Sequence, residues 1–98
     1  MPMYHEVQSA KITCDIRVSD LLSIHTRNSV YEFFVIDPER AYGLVKGGVV
    51  GQCATEAFFC TPVTLDPGSK LRLLIETAKG LRFITTSKIE TIKHLRSE

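Results

Sequence analysis

The sequence predicts an all-β protein, a small antiparallel β-barrel of about seven or eight short strands, with a sandwich as the alternative. Three observations carry this reading. Apolar and polar residues alternate with a period of two through much of the chain, turn residues punctuate it about every 8 to 12 residues, and no segment holds a 3.6-residue period beyond about two turns. A barrel, SH3-like or similar, is preferred to an open sheet because closure removes unpaired strand edges. The 98 residues fit one β-rich domain, 1–98, able to bury roughly two-thirds of its extended surface in a single core.

Taken in order, residues 1 to 8 read as a loose arm or an addition to a sheet edge. From Ala10 to Val18, the residues Ile12, Cys14, Ile16 and Val18 alternate with Lys11, Thr13, Asp15 and Arg17, which is strand patterning. From Leu21 to Lys46 the chain reads as a three-stranded meander with two turns. If Arg27-Asn28 is the tip of the first, with Asn28 accepting a positive φ, Ile24 lies opposite Tyr31 and Leu22 opposite Phe33. The second is Asp37-Pro38-Glu39-Arg40, which suits a type I turn and sets Val35 opposite Tyr42 and Phe33 opposite Leu44. Both turns then place Leu22, Ile24, Tyr31, Phe33, Val35, Tyr42 and Leu44 on one face, the expected core. Phe34 and Ile36 point to the other face, a surface for packing or for self-association.

Residues Gly47 to Thr61 are broken by glycines and show no clean period, so Gly47-Gly48 marks a change of direction and Cys53 to Phe59 is read as a helical turn or a loop. Phe58 to Leu65 follows as a short strand ended by Asp66-Pro67-Gly68-Ser69. From Leu71 to Ser87 the chain reads as a hairpin. A three-residue connection, Ala78-Lys79-Gly80, with Gly80 left-handed, sets Ile75 opposite Phe83, Leu73 opposite Thr85 and Glu76 opposite Arg82, with Phe83 pointing inward. Ile89 to Leu95 is a final strand with a mixed face, and His94 to Glu98 is expected to fray.

Composition is that of an ordinary soluble domain, 44% hydrophobic and 23% charged with a net charge of +1, which gives no general pull toward nucleic acid or anionic membranes. No apolar run approaches the roughly 20 residues that cross a bilayer, and the N-terminus lacks signal-peptide character, so no membrane partner and a cytoplasmic location are expected. Three cysteines, Cys14, Cys53 and Cys60, are an odd number that suits free thiols in a reducing compartment.

No catalytic, metal or cofactor site is expected. Cys53 and Cys60 stand too far apart for one zinc-binding turn, and no His-x3-His partner exists. Histidines 5 and 94 lie near the termini, while His25 alternates onto the outer face. Asp15, Asp20, Asp37, Glu39 and Glu56 fall where solvated turns or strand faces put them. The one charge asymmetry lies in residues 66–98, which hold seven basic and four acidic residues against five and seven in residues 1–65. Lys70, Arg72, Lys79, Arg82 and Lys88 are candidates for one basic outer face of the hairpin, a nucleic-acid surface if aromatics interleave with it. With Phe83 inward, a solvated sheet face is preferred.

The segment Thr26-Arg27-Asn28-Ser29, with Tyr31, then Gly47-Gly48, then Thr86-Ser87 with Ile89 and Ile92, resembles short uncharacterised bacterial proteins that carry a Thr-Arg-Asn-Ser-x-Tyr segment; Lys88 stands where those proteins have proline. The resemblance implies a bacterial origin and no known activity. Arg27 and Asn28 already serve as a hairpin tip, and a tip on a rigid scaffold is a place for contacts. The expected function is therefore a non-catalytic interaction or ligand-binding module, self-associating through an exposed strand or through the Phe34 and Ile36 surface as a homo-oligomer. Binding candidates are Arg27, Asn28, Tyr31, Arg72, Lys79 and Arg82. The alternative is nucleic-acid binding by the hairpin of residues 70–88, and a remote third is an enzyme site at a subunit junction around Arg27, Tyr31 and His25.

Overall fold

A computed structural model describes residues 3–7, 15–60 and 65–97. Its strands are β1 (Tyr4–Glu6), β2 (Leu21–Thr26), β3 (Val30–Asp37), β4 (Tyr42–Gly47), β5 (Gly51–Phe59), β6 (Lys70–Thr77) and β7 (Gly80–Ser97), with a 3-10 turn at Gly48–Val50. They form one antiparallel sheet in the order β1-β7-β2-β3-β4-β5-β6, and β7 also pairs with β6, so a ring of hydrogen bonds closes as in a barrel. Closure depends on the length of β7. Residues 80–88 pair with β6, residues 89–95 with β2, and the last three with β1. The second hairpin strand and the final strand read from the sequence are thus one continuous element. Its end does not fray: His94 is 2% exposed, and Tyr4 of β1 pairs with Ser97. No helix among the described residues is long and apolar enough to cross a membrane.

The first hairpin has the expected register, with Leu22 opposite Phe33 and Ile24 opposite Tyr31. The physical reason for its turn differs, because Asn28 does not take a positive φ. Thr26 holds the turn instead. Its backbone N–H and its hydroxyl both donate to the Ser29 carbonyl, at 2.8 and 3.0 Å, and its Oγ1 accepts from the Ser29 N–H at 3.1 Å. Such local side-chain bonds satisfy a tight turn without left-handed backbone.

At the second turn Asp37 Oδ1 accepts from the N–H groups of Glu39 and Arg40, the expected use of an aspartate. The turn runs one residue longer than the sequence suggests, because Ala41 adopts φ 53° and a bulge lies between Val35 and Asp37. Phe33 therefore pairs with Val45, and Val35 with Gly43. A one-residue slip sends side chains to the opposite face. Val45 enters the core, and Tyr42 and Leu44 are corrected to half-buried positions on the outer face.

Gly47 and Gly48 reverse the chain as expected. Gly48 has φ +49°, and a Cβ there would stand 2.3 Å from Cζ of Tyr31, whose ring occupies the space. The stretch from Cys53 to Phe59, read as a helical turn or loop, is strand β5, and Phe58 lies inside it rather than opening a new strand. Residues 61–64 of that expected strand lie outside the described residues. So does most of the expected strand at Ala10 to Val18. Its described end, Asp15 to Val18, is not strand, and Val18 is 63% exposed.

The hairpin of β6 and β7 carries the largest correction. Gly80 has the expected positive φ, 106°, but the connection is the two residues Ala78-Lys79, with Thr77 paired to Gly80. Leu73 then faces Ile84, Leu74 faces Phe83, Ile75 faces Arg82 and Glu76 faces Leu81. Phe83 points outward and is 75% exposed. The core that results is built from Leu22, Ile24, Tyr31, Phe33, Val35, Val45, Ala57, Phe59, Leu65, Leu71, Leu73, Ile75 and Ile89. Phe33 and Phe59 stack at its centre, with ring centroids 4.2 Å apart.

Candidate functional site

The two register shifts act together on the outer face of the sheet. Pairing sets Tyr42 opposite Phe58, Phe58 opposite Leu74, and Leu74 opposite Phe83, an apolar rung that crosses β4, β5, β6 and β7. The Tyr42 and Phe58 rings lie 4.8 Å apart, tilted by 38°. Beside the rung stand Ile36 and Leu81, and between them a groove of about 420 Å³ is lined also by Asp37, Arg40, Glu56 and Glu76. Phe58, Leu81 and Phe83 are 38, 65 and 75% exposed. Scattered single apolar residues on a surface need no explanation, but a contiguous apolar patch with a charged margin is the signature of a contact surface.

Within this groove the Tyr42 hydroxyl donates to Glu56 Oε1 at 2.6 Å. That hydrogen bond to the carboxylate, with smaller contributions from burial and the nearby negative charges of Glu56 and Glu76, raises the Tyr42 pKa above its ordinary value. Phe34 and Ile36, expected on the outer face, are there; Ile36 joins the groove, and Phe34 lies across the sheet beside Leu21 and Leu44.

The candidate binding residues do not converge on one site. Arg27 and Asn28 are exposed at the first hairpin tip, but Tyr31 is 2% exposed, and its hydroxyl accepts from the Val49 N–H. Tyr31 is a core residue and cannot join Arg27 and His25 around a shared ligand. Lys70 and Arg72 project from the outer face of β6 with Lys88 opposite Lys70. Arg82, opposite Ile75, belongs to the other face, and Lys79 lies in the hairpin loop beyond Thr77, which is itself roughly 23 Å from Lys70 at about 3.3 Å per strand residue. The five cations therefore do not form a single face.

The sequence reading missed a buried ion cluster just before β2, where the Asp20 carbonyl accepts from the Val35 N–H of β3. Asp20, expected in a solvated turn, is 1% exposed. Its carboxylate accepts from His94 Nε2 at 2.5 Å, from Arg96 Nε and Nη2 at 3.1 Å each, and from the Arg17 N–H at 2.9 Å. Arg96 Nη2 also donates to the Asp15 carbonyl at 2.8 Å. Burial alone pushes a carboxyl up. Here the hydrogen bonds from Arg96, His94 and the Arg17 backbone, with the charge of His94, outweigh it and hold the Asp20 pKa below its ordinary value. An ionised carboxylate only accepts, so His94 Nε2 carries the hydrogen. The hydrogen bond from Arg96 to Asp20 likewise raises the Arg96 pKa.

A signal for this cluster existed in the sequence. Asp20 shares the parity of the inward residues Leu22 and Ile24, and His94 and Arg96 share that of Ile92. Chemically the cluster is a clamp. It ties the segment before β2 to the end of β7.

Comparison with known protein families, curated proteins and solved structures returns no match.

Proposed function

We propose that the protein is a non-catalytic interaction module that works as a homo-oligomer, docking a second copy of itself on the outer apolar face. The observation that carries the reading is the rung Tyr42–Phe58–Leu74–Phe83 flanked by Ile36 and Leu81. Covering one large apolar side chain contributes about 1.5–3 kcal/mol, and Leu81 and Phe83 each present most of their surface. A second copy is the occupant that fits the charges. The chain's net charge of +1 leaves two copies with little mutual repulsion. The groove also carries both signs, Arg40 beside Asp37, Glu56 and Glu76, so a two-fold contact can set opposite charges against each other.

The polar residues of a kind used in catalysis support this reading by having structural work: Asp20, His94 and Arg96 form the clamp, and Tyr31 fills the core. A cytoplasmic setting goes with it, suited to the free thiols of Cys53 and Cys60. Nucleic-acid binding along the whole 70–88 hairpin is less favoured, because its cations are split between faces and ends.

Sedimentation of the wild type and of a Leu81→Glu/Phe83→Glu variant tests the proposal. Both residues are exposed, so folding should change by no more than about 0.5 kcal/mol per site. The wild type should associate with rising concentration and the variant should stay monomeric. A wild type that remains a monomer at high micromolar concentration defeats the reading.

A further inference from the structure

We propose that the corner of the sheet at Lys88 is a phosphate-binding site. There β7 leaves β6 for β2, and the tip of the first hairpin docks against it. The Arg27 N–H donates to the Lys88 carbonyl at 3.1 Å, and Asn28 Nδ2 donates to Ser87 Oγ at 2.6 Å. These bonds bring Arg27 beside Lys88, and the β6–β7 pairing sets Lys70 opposite Lys88. The three cations, with Asn28 and Ser87, line an open depression of about 450 Å³.

Two independent features point to an anion. The first is the donor inventory. Ser87 Oγ already accepts from Asn28, so its hydroxyl hydrogen remains available; Arg27 adds a planar fork of donors, and each lysine adds an ammonium. The second is that the arrangement works against the fold. Like charges directly opposite on neighbouring strands are destabilising, yet Lys70 faces Lys88 with Arg27 adjoining. None of the three forms an ion pair with a described carboxylate. Where a local rule is broken without compensation inside the chain, a functional reason is expected.

Phosphate fits better than carboxylate. A carboxylate brings two oxygens and one negative charge, which would leave most of the cationic cluster uncompensated. A phosphate presents more acceptor oxygens and, as a monoester, nearly two charges, which three cations and a hydroxyl can share. The shared chemistry is the phosphoryl group, borne either by a small phosphate compound or by a single-stranded nucleic-acid backbone, whose phosphodiesters carry one charge each and would have to engage the three cations with successive phosphates.

The test titrates the folded protein with inorganic pyrophosphate and, separately, with an oligothymidylate, following backbone amide shifts by NMR at matched ionic strength. Shifts concentrated at Arg27, Ser87 and Lys88 with pyrophosphate support the site for a small phosphate compound. Binding of the oligonucleotide alone, with log K falling against log salt at a slope of about −2 for three contacts, supports a phosphodiester occupant. Lys88→Glu separates binding from folding. It replaces the Lys70–Lys88 repulsion with an attractive pair, so its thermal midpoint should rise while binding falls about tenfold or more. No response to either titrant, or a Lys88→Glu variant that binds as well as the wild type, overturns the proposal. None of the five residues belongs to the outer apolar rung, so failure here leaves self-association untouched.

Discussion

Replacing Asp20 by alanine removes the acceptor at the centre of the buried clamp. In the folded protein that carboxylate is 1% exposed and accepts hydrogen bonds from His94, Arg96 and the Arg17 backbone. Removing one member of a buried charged pair costs about 3–5 kcal/mol, because the partner charges stay buried without compensation. A domain of this size is stable by about 5–15 kcal/mol in total, so the loss is about a fifth of the stability or more. Asp20→Asn should cost less, since an amide oxygen can still accept from one or two of the donors while the negative charge is gone. The sign of the pH dependence follows from the lowered pKa. Asp20 stabilises the fold above the ordinary aspartate value of about 3.9, and this contribution is lost as pH falls through the lower folded value. Urea denaturation followed by circular dichroism, on the wild type and both variants from neutral to acidic pH, measures each part. The wild type should lose stability on acidification below about pH 4, and the alanine variant should show a shallower loss over the same interval. An alanine variant within about 0.5 kcal/mol of the wild type at neutral pH, the range of an ordinary surface change, would refute the reasoning.

Three further outcomes are expected. Gly48→Ala places a Cβ 2.3 Å from the buried Tyr31 ring at a φ of +49°, so it should cost about 1–3 kcal/mol by overpacking and strain, read as a lowered denaturation midpoint. Phe33→Ala opens the core beside Phe59 and should cost about 3–5 kcal/mol by the same assay. Ultraviolet titration should show Tyr42 ionising above the ordinary tyrosine pKa, and Glu56→Gln should bring that ionisation down, because the Glu56 carboxylate is the main cause of the shift.

Legibility in the sequence followed the physics of the turns. At the first hairpin, alternation on both strands and a tip flanked by Thr26 and Ser29 allow one register, and that register is observed. The second turn hid its length. Alanine seldom takes left-handed backbone, so nothing in the sequence marks Ala41 as the extra turn residue. The β6–β7 hairpin hid its register for a related reason. Gly80 satisfies either a bulged three-residue connection or the two-residue one found, and the pairing of Ile75 with Phe83 and of Glu76 with Arg82 favoured the former. Because a strand's side chains alternate, each one-residue error exchanged a core position for a surface one. Tyr42, Leu44 and Phe83 moved outward together, and the apolar rung became visible only once Tyr42 and Phe83 had moved. The buried clamp was hidden by distance: Asp20 lies 74 residues from His94 and 76 from Arg96, and only closure of the ring brings them together.

The direction of the Phe83 side chain reports the register of the β6–β7 hairpin, and what covers it reports the docking of a second copy. The chain contains no tryptophan, so a Phe83→Trp variant carries a single tryptophan, excited selectively over the tyrosines, at the β7 end of the proposed contact. Dilute protein should emit at the long wavelength of a water-exposed indole, and the emission should shift to shorter wavelength as concentration rises and a second copy covers the ring. Short-wavelength emission already at high dilution would contradict the outward register, and emission that never shifts with concentration would contradict the docking of a second copy.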